Sequence, residues 1–205
     1  MSDLFNNDAA KASYGIGLQM GEQLKANPFE GLNLNAVYEG IKDGFTGSEF
    51  QVAIPEIQAA FEKINAEISA RREQESKAME AEGKAFLEDN AKRAEVTVLP
   101  SGLQYEVVET GEGAKPAADS TVRVHYHGTL INGSVFDSSY ERGQPAEFPV
   151  NGVIRGWTEA LQLMNAGSKW RLYIPHDLAY GERGAGASIA PYSTLVFDVE
   201  LLEVL

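Results

Sequence analysis

The side chains best suited to chemistry in this 205-residue chain are aromatic and lie in its second half. They are Tyr126, Phe136, Phe148, Trp157, Tyr173, Tyr180, Tyr192 and Phe197, with the acidic Asp137 directly after Phe136. Any one of these taken alone is ordinary core packing. Tyr and Trp carry polar tips that need partners when buried, so several together can also line an apolar pocket with a few directed donors. The usual reactive constellations are missing. No GxSxG, Walker GxxxxGK[ST] or CxxC occurs, and Gly181-Glu182-Arg183-Gly184-Ala185-Gly186 lacks the Lys and following helix of a phosphate cradle, so it reads as a flexible surface loop. With no cysteine, disulfides, thiol nucleophiles and thiolate metal sites drop out together. The three histidines, His125, His127 and His176, form no HExxH pair. The sequence predicts neither a metal nor a cofactor.

The charge narrows the partners. Seventeen Lys+Arg against 30 Asp+Glu give −13, and both halves are acidic: 10 basic and 17 acidic residues in 1–95, 7 and 13 in 96–205. Neither half has the basic stripe that a phosphate backbone or an anionic membrane surface requires. No run approaches the roughly 20 apolar residues of a membrane span. The opening MSDLFNNDAAKASYG has no apolar run of the signal-peptide kind, so the expected location is cytoplasmic.

Texture changes near Leu99-Pro100-Ser101-Gly102: helical spacing precedes it, and alternation with Gly/Pro turns follows. The first half predicts three helices. Residues 8–26 place Tyr14, Leu18, Gly21 and Leu24 on one face, with Ser13, Gly17 and Gly21 as a ridge of small residues, and Asn27-Pro28 ends the helix. The ridge marks either close approach of another helix backbone or merely a weak helix. Residues 33–46 align Leu34, Val37, Tyr38, Ile41 and Phe45 and stop at Gly47. Pro55 opens the third, where Ile54, Ile57, Phe61, Ile64 and Ile68 form a seam two heptads long. Beyond Arg71 that helix is polar nearly all round but carries acid-first pairs at i, i+4: Glu67/Arg71, Glu73/Lys77, Glu80/Lys84, Glu88/Lys92 and Asp89/Arg93. It either runs to about Arg93 as a solvated stalk or breaks at Gly83. So few helical residues cannot bury all these stripes within one chain, and a homodimer through the N-terminal helices is the economical solution. The predicted organisation is a helical dimerisation domain at 1–54, a stalk helix at 55–95 and a third domain at 96–205.

The last domain alternates cleanly. Leu103, Tyr105 and Val107 share one face of a strand, and Val122, Val124 and Tyr126 share one of the next, with Arg123, His125 and His127 opposite. The two histidines therefore read as surface or hydrogen-bonded structural residues. Further strands fall near 134–137, 146–150, 168–175 and 194–204, with one short helix at Trp157 to Met164. The fold class is α+β: an all-α N-terminal part, then an antiparallel sheet wrapped on a single helix.

Five ordered segments in this half carry a resemblance. Val122-Arg123-Val124-His125-Tyr126-His127-Gly128, Gly133-Ser134-Val135-Phe136-Asp137-Ser138-Ser139, Val153-Ile154-Arg155-Gly156-Trp157, Ala179-Tyr180-Gly181 and Leu195-Val196-Phe197-Asp198-Val199-Glu200-Leu201-Leu202 resemble the successive signatures of the FKBP family of peptidyl-prolyl isomerases. The helical half, with SYGIGLQMG, is similar to the bacterial subgroup typified by the macrophage infectivity potentiator proteins, whose members are V-shaped dimers joined through N-terminal helices. The resemblance implies a half-barrel around a short helix, with the pocket between them. It implies Trp157 as pocket floor and Tyr126, Phe136, Phe148, Val153, Ile154, Ile189 and Phe197 as walls. Tyr180 O–H and Ile154 N–H would donate to carbonyls of a prolyl substrate or a macrolide, and Asp137, oriented by Tyr126 and Arg142, would sit beside the twisting amide. Ala146, Ala185, Ser188 and Ala190 depart from the family at the rim. The partners implied are a second copy of the chain, unfolded or partly folded prolyl proteins and a macrolide.

Such chemistry needs little. An X–Pro bond turns over a barrier of roughly 18–20 kcal/mol because twisting breaks amide resonance, and neither nucleophile nor proton transfer is strictly required. On local sequence, Asp137 also reads as a cap for the turn at Ser138-Ser139, and Trp157 as plain helix–sheet packing. Two functions are expected from this half: a dimeric prolyl isomerase, or a binding module that grips prolyl segments with little turnover.

Overall fold

A computed structural model describes residues 3–26 and 28–205. The chain forms two compact units, Met1–Arg71 and Arg72–Leu205. In the first unit, a short 3-10 turn, Asp3–Phe5, precedes α1, Asp8–Ala26. Asn7 Oδ1 starts α1 by accepting from Ala10 N–H at 2.9 Å. Of the expected stop at Asn27-Pro28, Asn27 lies outside the described residues. Helix α2, Leu34–Thr46, is capped by Asn33 Oδ1, which accepts from Asn35 and Ala36 N–H, and it ends on Gly47 at φ 68°, the left-handed turn glycine adopts without strain. Helix α3, Ile54–Asn90, begins with Pro55 in its first turn, where a missing N–H leaves no hydrogen bond unmade.

Not one residue of α1 or α2 is buried. Tyr14, Leu18, Leu34, Tyr38, Phe45 and Phe61 all stand exposed. A Cβ built at Gly17 or Gly21 meets nothing within 4 Å, so the small-residue ridge faces open space within the chain.

Helix α3 does not break at Gly83, and its second half belongs to the second unit. There it is more than a solvated stalk, because Gly83 and Asn90 are buried. Of the expected acid-first pairs, Glu73/Lys77 forms at 2.6 Å. Arg93 reaches Asn90 at the end of α3 together with Glu95, Glu106 and the Tyr173 hydroxyl, while Asp89 pairs with Lys92.

The sheet is antiparallel throughout. Its strands are β1 (Thr97–Val98), β2 (Gln104–Glu109), β3 (Thr121–Leu130), β4 (Val135–Ser138), β5 (Ala146–Pro149), β6 (Lys169–Ile174) and β7 (Leu195–Val204). They run in the order β1-β2-β6-β7-β3-β4, and β5 pairs with the other end of β3. Burial along β3 alternates as the spacing predicts, with Val122, Val124 and Tyr126 inward and His125 and His127 opposite. Helix α4, Arg155–Leu161, is shorter than the expected 157–164; Met164 follows in a tight turn and is sealed nevertheless. Leu103, Leu161, Met164, Leu172, Leu195 and Leu201 are fully buried, each contributing roughly 1.5–3 kcal/mol relative to exposure. Gly156 lets α4 approach the sheet, since a Cβ there would stand 2.6 Å from Ile174 Cγ2.

Candidate active site

Between α4 and the sheet lies a cavity of about 730 Å³. Strand β3 contributes Tyr126, β4 Phe136 and Asp137, β5 Phe148, and β7 Phe197. The turn into α4 supplies Val153 and Ile154, the first turn of α4 supplies Trp157, and the β6–β7 loop supplies Tyr180 and Ile189. Ten of the eleven residues expected from the sequence thus line one hollow, and the eleventh, Arg142, reaches it through Asp137 and Tyr126. Gly152, Ala185, Gly186 and Ser188 complete the lining.

The Gly181–Gly186 segment lies at the surface as expected, with none of its residues buried, but local bonds order it. Gly181–Arg183 forms a 3-10 turn, and Ala185 and Ile189 exchange two backbone hydrogen bonds of 2.8 and 3.1 Å across the tip. Gly184 makes this possible, with φ 63° and a missing Cβ that would stand 2.2 Å from Ile189 O. Glycine spacing shows a turn, but not that the turn folds inward over a cavity.

Trp157 is 4% exposed and forms the base of the hollow. Three rings stand nearly perpendicular to it: Phe197 at 5.2 Å, Tyr126 at 5.3 Å and Phe148 at 5.9 Å between centroids. Such edge-to-face contacts are worth about 0.5–1.5 kcal/mol each beyond the area they bury. Among the described residues Trp157 Nε1 finds no hydrogen-bond partner, so helix–sheet packing alone leaves this ring's polar group unsatisfied. Gly128 of β3 is required by the same cluster: a Cβ there would stand 2.7 Å from the Phe136 and Phe197 rings.

The polar side of the hollow is a closed triad. Tyr126 O–H donates to Asp137 Oδ2 at 2.5 Å, Arg142 Nη2 donates to the Tyr126 oxygen at 2.7 Å, and Arg142 Nη1 pairs with Asp137 Oδ1. Burial pushes the Asp137 carboxyl upward, but the bonds from Tyr126 and Arg142 together outweigh it and hold it below the usual aspartate range. Burial, then the bond to Asp137, push the Tyr126 hydroxyl up, so it remains a donor. The turn at Ser138-Ser139 is closed by Ser138 Oγ, which accepts from Glu141 N–H at 3.4 Å. On the outer face His125 is the hydrogen-bonded structural residue expected, 2.9 Å from Ser139 Oγ and stacked on Tyr140.

Two donors at the cavity are unspent. Among the described residues nothing accepts from the Tyr180 hydroxyl or from Ile154 N–H, which precedes α4 at φ −59° and ψ 149°. Burial and then the Asp137 charge push the Tyr180 hydroxyl upward, so it keeps its proton at neutral pH. An apolar hollow with two free N–H/O–H groups and one fixed carboxylate is suited to bind an amide and favour one of its shapes, without covalent chemistry.

Residues 112–202 match the family described as FKBP-type peptidyl-prolyl cis-trans isomerase, and residues 9–107 match the domain amino-terminal to it. The chain is 56% identical over 201 residues, 98% of both chains, to the FKBP-type 22 kDa peptidyl-prolyl cis-trans isomerase of Escherichia coli K12. It is 43% identical to the outer membrane protein MIP of Legionella longbeachae, covering 96% of this chain and 86% of that one. The crystal structure of FkpA from Escherichia coli superposes with a TM-score of 0.72 at 39% identity, covering 97% of each chain. Sequence motifs, fold and full-length likeness agree, and the chain belongs to the family of FKBP-type peptidyl-prolyl cis-trans isomerases.

Proposed function

We propose that isomerisation takes place in the Trp157-floored cavity, with the prolyl ring on Trp157 and within the walls of Tyr126, Phe136, Phe148, Val153, Ile154, Ile189 and Phe197. The observation that carries this reading is the pairing of that buried aromatic floor with two unspent donors and a carboxylate pinned on both oxygens. The planar amide is polar and resonance-stabilised, and the twisted amide is less so. Transfer from water into the cavity therefore disfavours the planar ground state relative to the orthogonal transition state. Tyr180 O–H and Ile154 N–H orient the flanking carbonyls. Asp137, ionised and held by Tyr126 and Arg142, is an electrostatic element beside the rotating bond and takes no proton.

A protease-coupled assay on an Xaa-Pro tetrapeptide tests these roles. Trp157→Leu and Asp137→Leu are each expected to lower kcat/KM by about tenfold or more, which corresponds to roughly 1.4 kcal/mol of lost transition-state stabilisation. Wild-type rates in both variants, with the fold intact by circular dichroism, would remove the assignment.

The same proposal makes the protein a homodimer through its N-terminal helices, as the unburied stripes of α1 and α2 and the open glycines of α1 support. Two linked pockets would raise the effective concentration of one for a client already held by the other. The clients are unfolded or partly folded prolyl chains, and a macrolide fits the same cavity. The cytoplasm is the proposed location; co-fractionation with periplasmic markers would overturn it.

A further inference from the structure

The seam between α3 and the segment leading into β7 is closer than ordinary packing. A Cβ built at Gly83 would stand 2.4 Å from Thr194 Oγ1 and 3.2 Å from Thr194 Cβ. Glycine inside a helix costs about 1 kcal/mol relative to alanine, so α3 gives up helix stability where it meets Thr194. Thr194 is only 3% exposed, leaving its side chain little room to turn aside.

Thr194 closes the loop that begins at Tyr180. Tyr192 N–H donates to Gly181 O at 2.9 Å, and Ser193 Oγ donates to Ala190 O at 2.7 Å. Tyr192 sits at φ 60°, a left-handed conformation that costs a non-glycine residue roughly 1–3 kcal/mol and persists only where the surroundings impose it. This loop brings Tyr180 and Ile189 to the cavity. The helix behind it is fixed to the sheet at separate points. Phe86 packs on Tyr173 at 5.9 Å, Gln104 Nε2 donates to Leu87 O at 2.9 Å, Asn90 Nδ2 donates to Gln104 Oε1 at 2.9 Å, and Arg93 reaches Tyr173 O–H at 2.9 Å. A push at Thr194 is therefore passed to the base of the loop and is not absorbed by the helix.

We propose that Gly83 and Thr194 are positioning residues of the isomerase, with α3 as a backstop that sets where the Tyr180 hydroxyl stands over the cavity. The inference rests on the reading of Tyr180 as a substrate donor. In the full-length protein, with an Xaa-Pro tetrapeptide as probe, Gly83→Ala is expected to lower kcat/KM about threefold or more, since misplacing a positioning group by a fraction of an ångström weakens catalysis disproportionately. Adding Thr194→Ala, which removes the obstructing Oγ1, restores the rate. In a Tyr180→Phe background Gly83→Ala has no further effect. A wild-type rate in Gly83→Ala, or a loss that simply adds to that of Tyr180→Phe, overturns the proposal. Tyr180→Phe at the wild-type rate sinks the reading of Tyr180 itself, a separate result. Should Gly83→Ala fold poorly, Thr194→Gly withdraws the contact from the loop side; the same Tyr180-dependent loss is expected there, and an unchanged rate overturns the proposal equally.

Discussion

Phe45 in α2 is 92% exposed, while Leu172 in β6 is fully sealed, and the two belong to units built on opposite principles. In the first unit, amphipathic helices supply apolar stripes that stay exposed among the described residues. In the second, alternating strands close on one another and on α4, so each inward residue is covered by the same fold. Periodicity creates a face in both cases, but only the sheet brings its own cover, and the uncovered helical stripes are what the proposed dimer would bury.

That contrast sets the order of expected effects. Leu172→Ala should cost about 2–5 kcal/mol in denaturant unfolding followed by the fluorescence of Trp157 and Trp170, because a sealed site cannot collapse around the lost atoms. A cost under half a kcal/mol would show the second core to be loosely packed. Asn90→Ala should cost about 1–3 kcal/mol in the same measurement, by leaving the buried Gln104 Oε1 without its donor while Gln104 Nε2 keeps Leu87 O; no change would return the end of α3 to the solvated stalk expected from its sequence. Phe45→Ser should leave the unfolding of the second unit within about 0.5 kcal/mol of wild type, as exposed substitutions do, yet weaken self-association in sedimentation. Unaltered sedimentation would remove Phe45 from any dimer contact.

The smallest effect is electrostatic. The carboxyl of Asp137 is depressed in the folded protein, so its stabilising interactions are complete above its unfolded value, near 3.9, and are lost as pH falls through the lower folded value. A carbon-13 NMR titration should find Asp137 ionised throughout the range about pH 5–8, with Arg142→Ala moving its midpoint upward. A midpoint unmoved by that change would mean that Arg142 does not hold it.

Much of this was legible in the sequence. Asn33, Gly47 and Pro55 mark helix ends by chemistry that acts within one turn, and the alternation of Val122, Val124 and Tyr126 needs only the pleat. The lining of the cavity was legible through the family motifs; composition alone offered aromatics with no way to tell a wall from a core. What stayed hidden depends on residues far apart in the chain. Gly83 looks like a helix break until Thr194 stands against it, and Arg93 looks like the partner of Asp89 until Glu106 and Tyr173 arrive from the sheet. The inward fold of Gly181–Gly186 was hidden for the same reason, since its tip is held by Ile189 and its base by Tyr192.

In the proposed mechanism the triad of Tyr126, Asp137 and Arg142 gives nothing up during a turnover: each member keeps its proton and its charge from one client to the next. A device of that kind speeds the forward and backward rotations alike. It leaves the resting proportion of cis to trans where the client's own sequence sets it, and what it changes for a folding chain is only how long it waits.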